Sequence, residues 1–289
     1  MPELPEVETI RRGLEKVLVG KTFEEIIVNV PKLFIGDAQA LVGLDVLGME
    51  RLGKLLVFRL SGDLVLTTHL RMTGQLIWRP ENEADGDIVM GGHPEAAYLA
   101  SLPHKHTHIE ITFSDGSELF FNDMRKFGFM QIMPEAELQE LGFVQRLGPE
   151  PLEKDFTREY LREQLRLRPK VLIKSFLLDQ GNIAGLGNIY ADESLYRAAI
   201  LPYRVAGELT FGEVHNLHEA IQETLELALM HGGSTSKDYL SATAEKGTFL
   251  KVANVYRRTG QDCNRGDGGM IERMKIGGRS SHFCPVCQR

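Results

Sequence analysis

Met1-Pro2-Glu3-Leu4-Pro5-Glu6-Val7-Glu8-Thr9-Ile10-Arg11-Arg12-Gly13-Leu14 opens the chain, and its reading sets both the fold and the chemistry. Across residues 5–19, Val7, Ile10, Leu14, Val17 and Leu18 fall on one helical stripe. Pro5 suits the first helical position, Glu6 and Glu8 suit the positive end of the helix dipole, and Gly20 is placed to end the helix. The stripe predicts a helix docked on a core, which fixes the N-terminus in space. Pro2 gives that fixing a use. Removal of Met1 leaves a secondary amine; an α-amino group titrates near pH ~8, so part of it is unprotonated at neutral pH. Such an amine can attack an electrophilic carbon and hold the product as a Schiff base, with the Glu3 carboxyl moving a proton in the same step. The octet also reads as an ordinary start, and a short motif alone does not separate the two.

Outward from this helix the pattern turns strand-like. Residues 23–30, 55–60, 64–70, 106–113 and 118–133 are β-branched and aromatic runs punctuated by glycine, and 108–113 alternates as a strand with one wet face does. Strands at this spacing suggest a sandwich or barrel. Residues 79–102, rich in Pro, Gly and acidic side chains, read as a long surface loop. After Gly148-Pro149-Glu150-Pro151 the period becomes helical over 156–167, 170–178, 192–199 and 210–230. The last begins with a Thr210–Glu213 capping box and ends at Gly232-Gly233. From about 250 the chain is short, glycine-rich and too small for a core of its own.

The chain has 289 residues, enough for two domains, and 43% apolar composition excludes general disorder. No apolar run approaches the ~18 residues of a membrane span, and the charged N-terminus is no signal peptide. Three cysteines make no disulfide framework and suggest a reducing interior. The net charge is -7, yet residues 251–289 carry eight Lys or Arg against three Asp or Glu. That asymmetry points to an anionic partner for the tail, although a solvated charged surface gives the same count.

Cys284-Pro285-Val286-Cys287 is a C-x-x-C knuckle with Cys263 upstream, an incomplete form of a four-ligand zinc pattern. Asp267, or with less support His282, would complete it; a metal-free hairpin is the alternative. Gly185-Leu186-Gly187-Asn188-Ile189-Tyr190 fails the dinucleotide fingerprint and reads as a tight turn between two helices, where exposed N–H groups suit a phosphate; a purely structural turn reads equally well. His69-Leu70-Arg71-Met72-Thr73-Gly74 and Asp123-Met124-Arg125-Lys126-Phe127-Gly128 are two strand ends. If exposed, Met72 and Phe127 would be wedges of the kind that unstack a base step; core packing is the plainer reading. Lys54, ahead of an apolar strand, is either an edge guard or, if placed near Pro2, a residue that binds a phosphate or helps keep the amine unprotonated by like-charge repulsion.

These pieces, in this order, resemble the bacterial formamidopyrimidine-DNA glycosylase family over essentially the whole chain. The resemblance rests on residues 1–14, 69–74, 123–128, 177–180 running to 187–193, 232–235, Gly278-Arg279, Phe283-Cys284-Pro285 and Cys287-Gln288. It implies an α+β chain: a catalytic β-sandwich with flanking helices over 1–135, a helix-two-turn-helix DNA-binding domain over 136–250 and a zinc-finger-like β-hairpin over 251–289. It implies a monomer acting on damaged double-stranded DNA in the bacterial cytoplasm, at the nucleoid and not at a membrane, with the DNA held in a cleft between the two halves and the damaged purine flipped out. By resemblance Pro2 is the nucleophile, Glu3 the acid/base and Glu6 a second carboxylate beside it. Lys54, His69, Asn188 and Arg279 grip phosphates, and Met72, Arg125 and Phe127 fill the gap left by the flipped base. Residues 234–249, with Lys237 as a DNA contact, match the loop that closes over the lesion. One zinc ion is implied, with Cys263, Cys284, Cys287 and Asp267 as its ligands here. Two departures are the missing fourth cysteine and a longer 79–102 segment.

Overall fold

The computed structural model describes residues 2–82, 89–92, 102–234 and 248–289. The chain forms two compact units, Met1–Gln145 with Gly232–Thr248, and Arg146–His231 with Phe249–Arg289.

The first unit begins with α1 (Leu4–Leu18). The Glu3 N–H donates to Glu6 Oε2 at 2.8 Å, half of a capping box that satisfies a helix-end donor. Val7, Ile10, Leu14 and Leu18 are buried as the stripe requires. Among the described residues ten strands follow: β1 (Phe23–Val28), β2 (Phe34–Ile35), β3 (Val46–Leu52), β4 (Leu55–Leu60), β5 (Leu64–His69), β6 (Gly74–Arg79), β7 (Val89–Gly92), β8 (Thr107–Phe113), β9 (Glu118–Asp123) and β10 (Phe129–Pro134). They form two five-stranded sheets, ordered β1-β8-β9-β6-β7 and β2-β10-β5-β4-β3. Phe23, Ile109 and Phe113 of the first and Leu56, Phe58 and Met130 of the second share one core with α1, the layered arrangement of a sandwich.

Four strands depart from the sequence expectation, the shortest being the two-residue β2, which pairs with β10. β3 lacks clean alternation, carrying Gly48 and Glu50, and is held by its ladder to β4. β6 is buried nearly throughout, so no alternation marks it. β7 lies within the segment expected to be loop and pairs with β6. Its glycines have a packing reason: a Cβ on Gly91 would sit 2.1 Å from the Ile10 side chain, so only glycine lets this strand approach α1. The run 118–133 is two strands, broken by the turn after Asp123.

The second unit contains α2 (Arg158–Leu167), α3 (Ile173–Leu178), α4 (Asn188–Arg197), α5 (Phe211–Met230), α6 (Phe249–Val252), and the antiparallel hairpin of β11 (Glu272–Ile276) and β12 (Arg279–Phe283). Phe176, Leu177, Tyr190, Leu195, Leu217, Ile221 and Leu225 make its core. The Thr210–Glu213 capping box forms as read. α4 starts four residues before the expected 192, because Gly187 takes the extended N-cap conformation. The hairpin turn is Gly277-Gly278, both with positive φ (55° and 80°). Two-residue hairpins favour such turns because they match strand twist. Among the described residues no helix is long and apolar enough to cross a membrane.

Candidate nucleic-acid interface and metal centre

At the N-terminus Pro2 is buried, and Glu3 and Glu6 are each 3% exposed. Glu6 faces two ways. One oxygen takes the Glu3 N–H, and the other accepts from Ser234 N (2.6 Å) and Ser234 Oγ (2.8 Å). Lys54 sits at the tip of the two-residue turn between β3 and β4, after Gly53 with φ +59°. His69 ends β5. Its Nδ1 accepts the Arg71 N–H at 3.0 Å, so Nε2 carries the proton. Burial, then the nearby charges of Arg71 and Lys54, push its pKa down to about 3. It is therefore a neutral donor at physiological pH, in electrostatic reach of Lys54.

The wedge candidates come together. Met72 is 45% and Phe127 56% exposed, large apolar side chains that core packing does not claim. Arg125 lies between them, donating to Met72 Sδ at 2.9 Å and standing 4.7 Å over the Phe127 ring. The residue that holds both turns is Asp123, quoted in the motif but not singled out from sequence. It is fully buried, and its carboxylate accepts from Arg125 N (3.0 Å), Phe127 N (2.8 Å), Gly128 N (2.7 Å) and the Thr73 hydroxyl. Thr73 in turn accepts the Arg125 N–H at 3.2 Å. One carboxylate thus ties the Met72 turn to the Phe127 turn. A signal was available: Asp followed by several donors is an Asx-type turn former.

In the second unit Asn188, at the start of α4, donates through Nδ2 to the Ser280 carbonyl at 2.9 Å, which places it beside exposed Arg279 on the hairpin. Beneath them lies a buried network that sequence reasoning missed. Asp192 accepts from Lys174 Nζ (2.6 Å), Ser281 Oγ (2.7 Å), His282 N (3.0 Å) and the His282 ring at Nδ1 (3.1 Å). Lys174 also donates to the Asn188 carbonyl at 2.8 Å. Lys237 lies outside the described residues.

Cys263, Asp267, Cys284 and Cys287 offer ligand atoms that all lie within 4.8 Å of one another and are positioned to bind a metal ion. Cys263 and Cys287 sulfurs are 3.8 Å apart, matching the ~3.8 Å edge of a tetrahedron with Zn–S bonds of about 2.3 Å. The donor set also fits. Burial holds the Cys284 and Cys287 thiols above their usual range, and for Cys287 the Asp267 carboxylate adds to it; a dication at the centre reverses that preference. The Gly269 N–H, then the Cys263 thiol, hold Asp267 down at about 2. A Cβ on Gly269 would meet Cys284 Sγ at 2.6 Å. His282, the alternative fourth ligand, is engaged by Asp192 instead.

With this geometry in place, the comparisons fall on the same three regions. Family models match for the formamidopyrimidine-DNA glycosylase N-terminal domain over residues 1–130, its H2TH domain over 147–239 and the zinc finger found in FPG and IleRS over 268–289. The chain belongs to the formamidopyrimidine-DNA glycosylase family. It is 40% identical over 295 residues to the formamidopyrimidine-DNA glycosylase of Desulforamulus reducens, covering 100% of this chain and 99% of the relative. To that of Enterococcus faecalis it is 41% identical over 295 residues, covering 100% and 98%. A Lactococcus lactis Fpg mutant in complex with DNA containing Fapy-dG shares the fold at TM-score 0.87 and 36% identity, with 100% of both chains covered. The wild-type Lactococcus lactis protein in complex with DNA containing an oxidised pyrimidine matches at TM-score 0.85 and 36% identity, again over 100% of both chains. The zinc-finger match begins after Cys263 and Asp267, so their place in the metal centre rests on geometry.

Proposed function

We propose that this chain is a bifunctional DNA glycosylase and abasic-site lyase that removes oxidised purines, 8-oxoguanine and formamidopyrimidines, from double-stranded DNA in base excision repair. The observation that carries this reading is the Pro2-Glu3-Glu6 terminus on a docked helix, in the same compact unit as the exposed Met72–Arg125–Phe127 cluster. In the unprocessed chain the Pro2 nitrogen is an amide and no nucleophile. Once Met1 is removed, the secondary amine attacks C1′ of the damaged nucleotide. The N–C1′ bond forms, the bond from C1′ to the base breaks, and the base leaves with a proton relayed by Glu3. The nitrogen lone pair then breaks the C1′–O4′ bond as O4′ takes a proton; the iminium so formed acidifies the C2′ protons, and successive β- and δ-elimination cuts the strand on both sides of the sugar. Glu6 holds the amine end through the Glu3 N–H. Met72, Arg125 and Phe127 occupy the emptied stack, offsetting an unstacking cost of a few kcal/mol. Neutral His69 donates to phosphate, and Lys54, Asn188, Arg279 and Lys237 add positive or donor contacts.

The parts 1–135, 136–250 and 251–289 serve as catalytic, helical and finger domains, with Cys263, Asp267, Cys284 and Cys287 holding one zinc that braces the hairpin bearing Arg279. The protein works as a monomer in the bacterial cytoplasm, at the nucleoid. Borohydride reduction with 8-oxoguanine duplex should trap a covalent protein–DNA adduct, and Pro2→Gly should abolish it. Absence of an adduct, or one undiminished by the substitution, would refute the mechanism. Faster excision of oxidised pyrimidines than of purines would instead reassign the substrate.

A further inference from the structure

The carboxylate of Glu8, just past the reactive end of α1, is the centre of an ionic cluster that the proposed chemistry does not use. It accepts from Arg11 (3.0 and 3.1 Å), Arg12 (2.7 Å) and, from the neighbouring strand β3, Arg51 Nε at 3.1 Å. Glu15 shares Arg11 at 2.8 Å, and Arg11 also donates to the Met49 carbonyl at 3.1 Å. A lattice of exposed pairs would mean little. Here the Glu8 and Arg51 side chains are only 11% and 10% exposed. Burial alone would raise the Glu8 pKa; the Arg11 and Arg12 hydrogen bonds and the Arg51 charge outweigh it and hold the carboxyl below its ordinary value.

Arg51 reaches further. Its second nitrogen donates to the Gly53 carbonyl at 3.0 Å, folding the guanidinium across the turn that ends in Lys54. Leu52 pairs with Leu55, so Gly53-Lys54 is a two-residue hairpin, with glycine at the first central position and φ +59°. Such a tip pivots on its few backbone bonds. The planar fork of arginine suits the double duty of holding a carboxylate and a carbonyl at fixed angles, which lysine cannot reproduce.

The geometry points to Glu8 and Arg51 as a positioning pair that locks the Lys54 hairpin tip to the helix bearing Pro2, so that Lys54 meets the phosphate beside the attacked sugar. This rests on the proposed role of Lys54. The cluster carries no reacting atom; it acts through Lys54. A residue acting only through another shows no effect once that other is gone.

The test is a double-mutant cycle of Arg51→Ala and Lys54→Ala, read as binding to a duplex carrying a tetrahydrofuran abasic analogue across a salt series. Lys54→Ala should weaken binding and flatten the slope of log K against log salt by about 0.9, one phosphate's worth. Arg51→Ala should reproduce most of that loss, and the double variant should bind within about twofold of Lys54→Ala. Arg51→Lys should not rescue. Glu8→Gln, which keeps the side chain's shape, should give a partial loss and guards against misfolding of the alanine variant. Additive losses in the cycle would mean that Arg51 touches DNA itself and would overturn the inference alone. A Lys54→Ala protein that binds as wild type would overturn the Lys54 assignment and the inference with it, while leaving the Pro2 trapping result untouched.

Discussion

Asp123 gives the sharpest prediction about the wedge. Replacing it with alanine removes the acceptor for three backbone N–H groups at 2.7 to 3.0 Å and for the Thr73 hydroxyl, at a fully buried position. A hydrogen bond to a charged group nets about 1.5–3 kcal/mol, and a buried donor left bare costs a similar amount. The sum overstates the loss, because water enters from the exposed Arg125 and Phe127 side and the bonds form one network. About 4 kcal/mol is a reasonable net figure, a large share of the ~5–15 kcal/mol that holds most domains, and it lowers Tm by roughly 10 °C in a unit of this size. Asparagine keeps one acceptor oxygen but turns an NH2 toward donors, so about half the loss is expected. Urea unfolding measures the stability. Fluorescence of 2-aminopurine placed next to the lesion measures unstacking, and should fall in Asp123→Asn even where the protein is fully folded. A folded Asp123→Asn protein that unstacks the neighbour like wild type would refute the link between this carboxylate and the wedge.

Further outcomes follow from the second unit. Arg279→Ala should weaken DNA binding and reduce its salt slope by about 0.9; an unchanged slope would remove Arg279 from the phosphate contacts. Elemental analysis should find about one zinc per chain, and Asp267→Ala should lower that content or weaken retention against a chelator at least tenfold, the penalty expected for losing one of four ligands; full retention would exclude Asp267. Glu213 bonds Arg204 and Thr210, and these hold its pKa at about 2 against an ordinary 4.5. Its contribution is therefore complete above pH 4.5 and is lost as pH falls toward 2. Glu213→Gln should cost about 1 kcal/mol at neutral pH, as cap losses do, and flatten the acid unfolding curve in that window; an unaltered curve would refute the assignment.

Local chemistry was legible along the chain. The stripe of Val7, Ile10, Leu14 and Leu18, the Thr210–Glu213 box and the run 55–60 each specify their element through neighbours three, four or two residues away, and such interactions are written in the sequence itself. So was the C-x-x-C of Cys284 and Cys287, because its spacing is its geometry. The tertiary structure alone decided what depends on partners far along the chain. Asp123 reaches Thr73 only through the register of β6 on β9. Glu8 meets Arg51 only because α1 lies across β3. Asp192 claims His282, which leaves Asp267 to complete the metal site, and β7 exists because Gly91 lets a strand slide beneath Ile10. A buried carboxylate must find its donors wherever folding brings them, and no local pattern records where that will be.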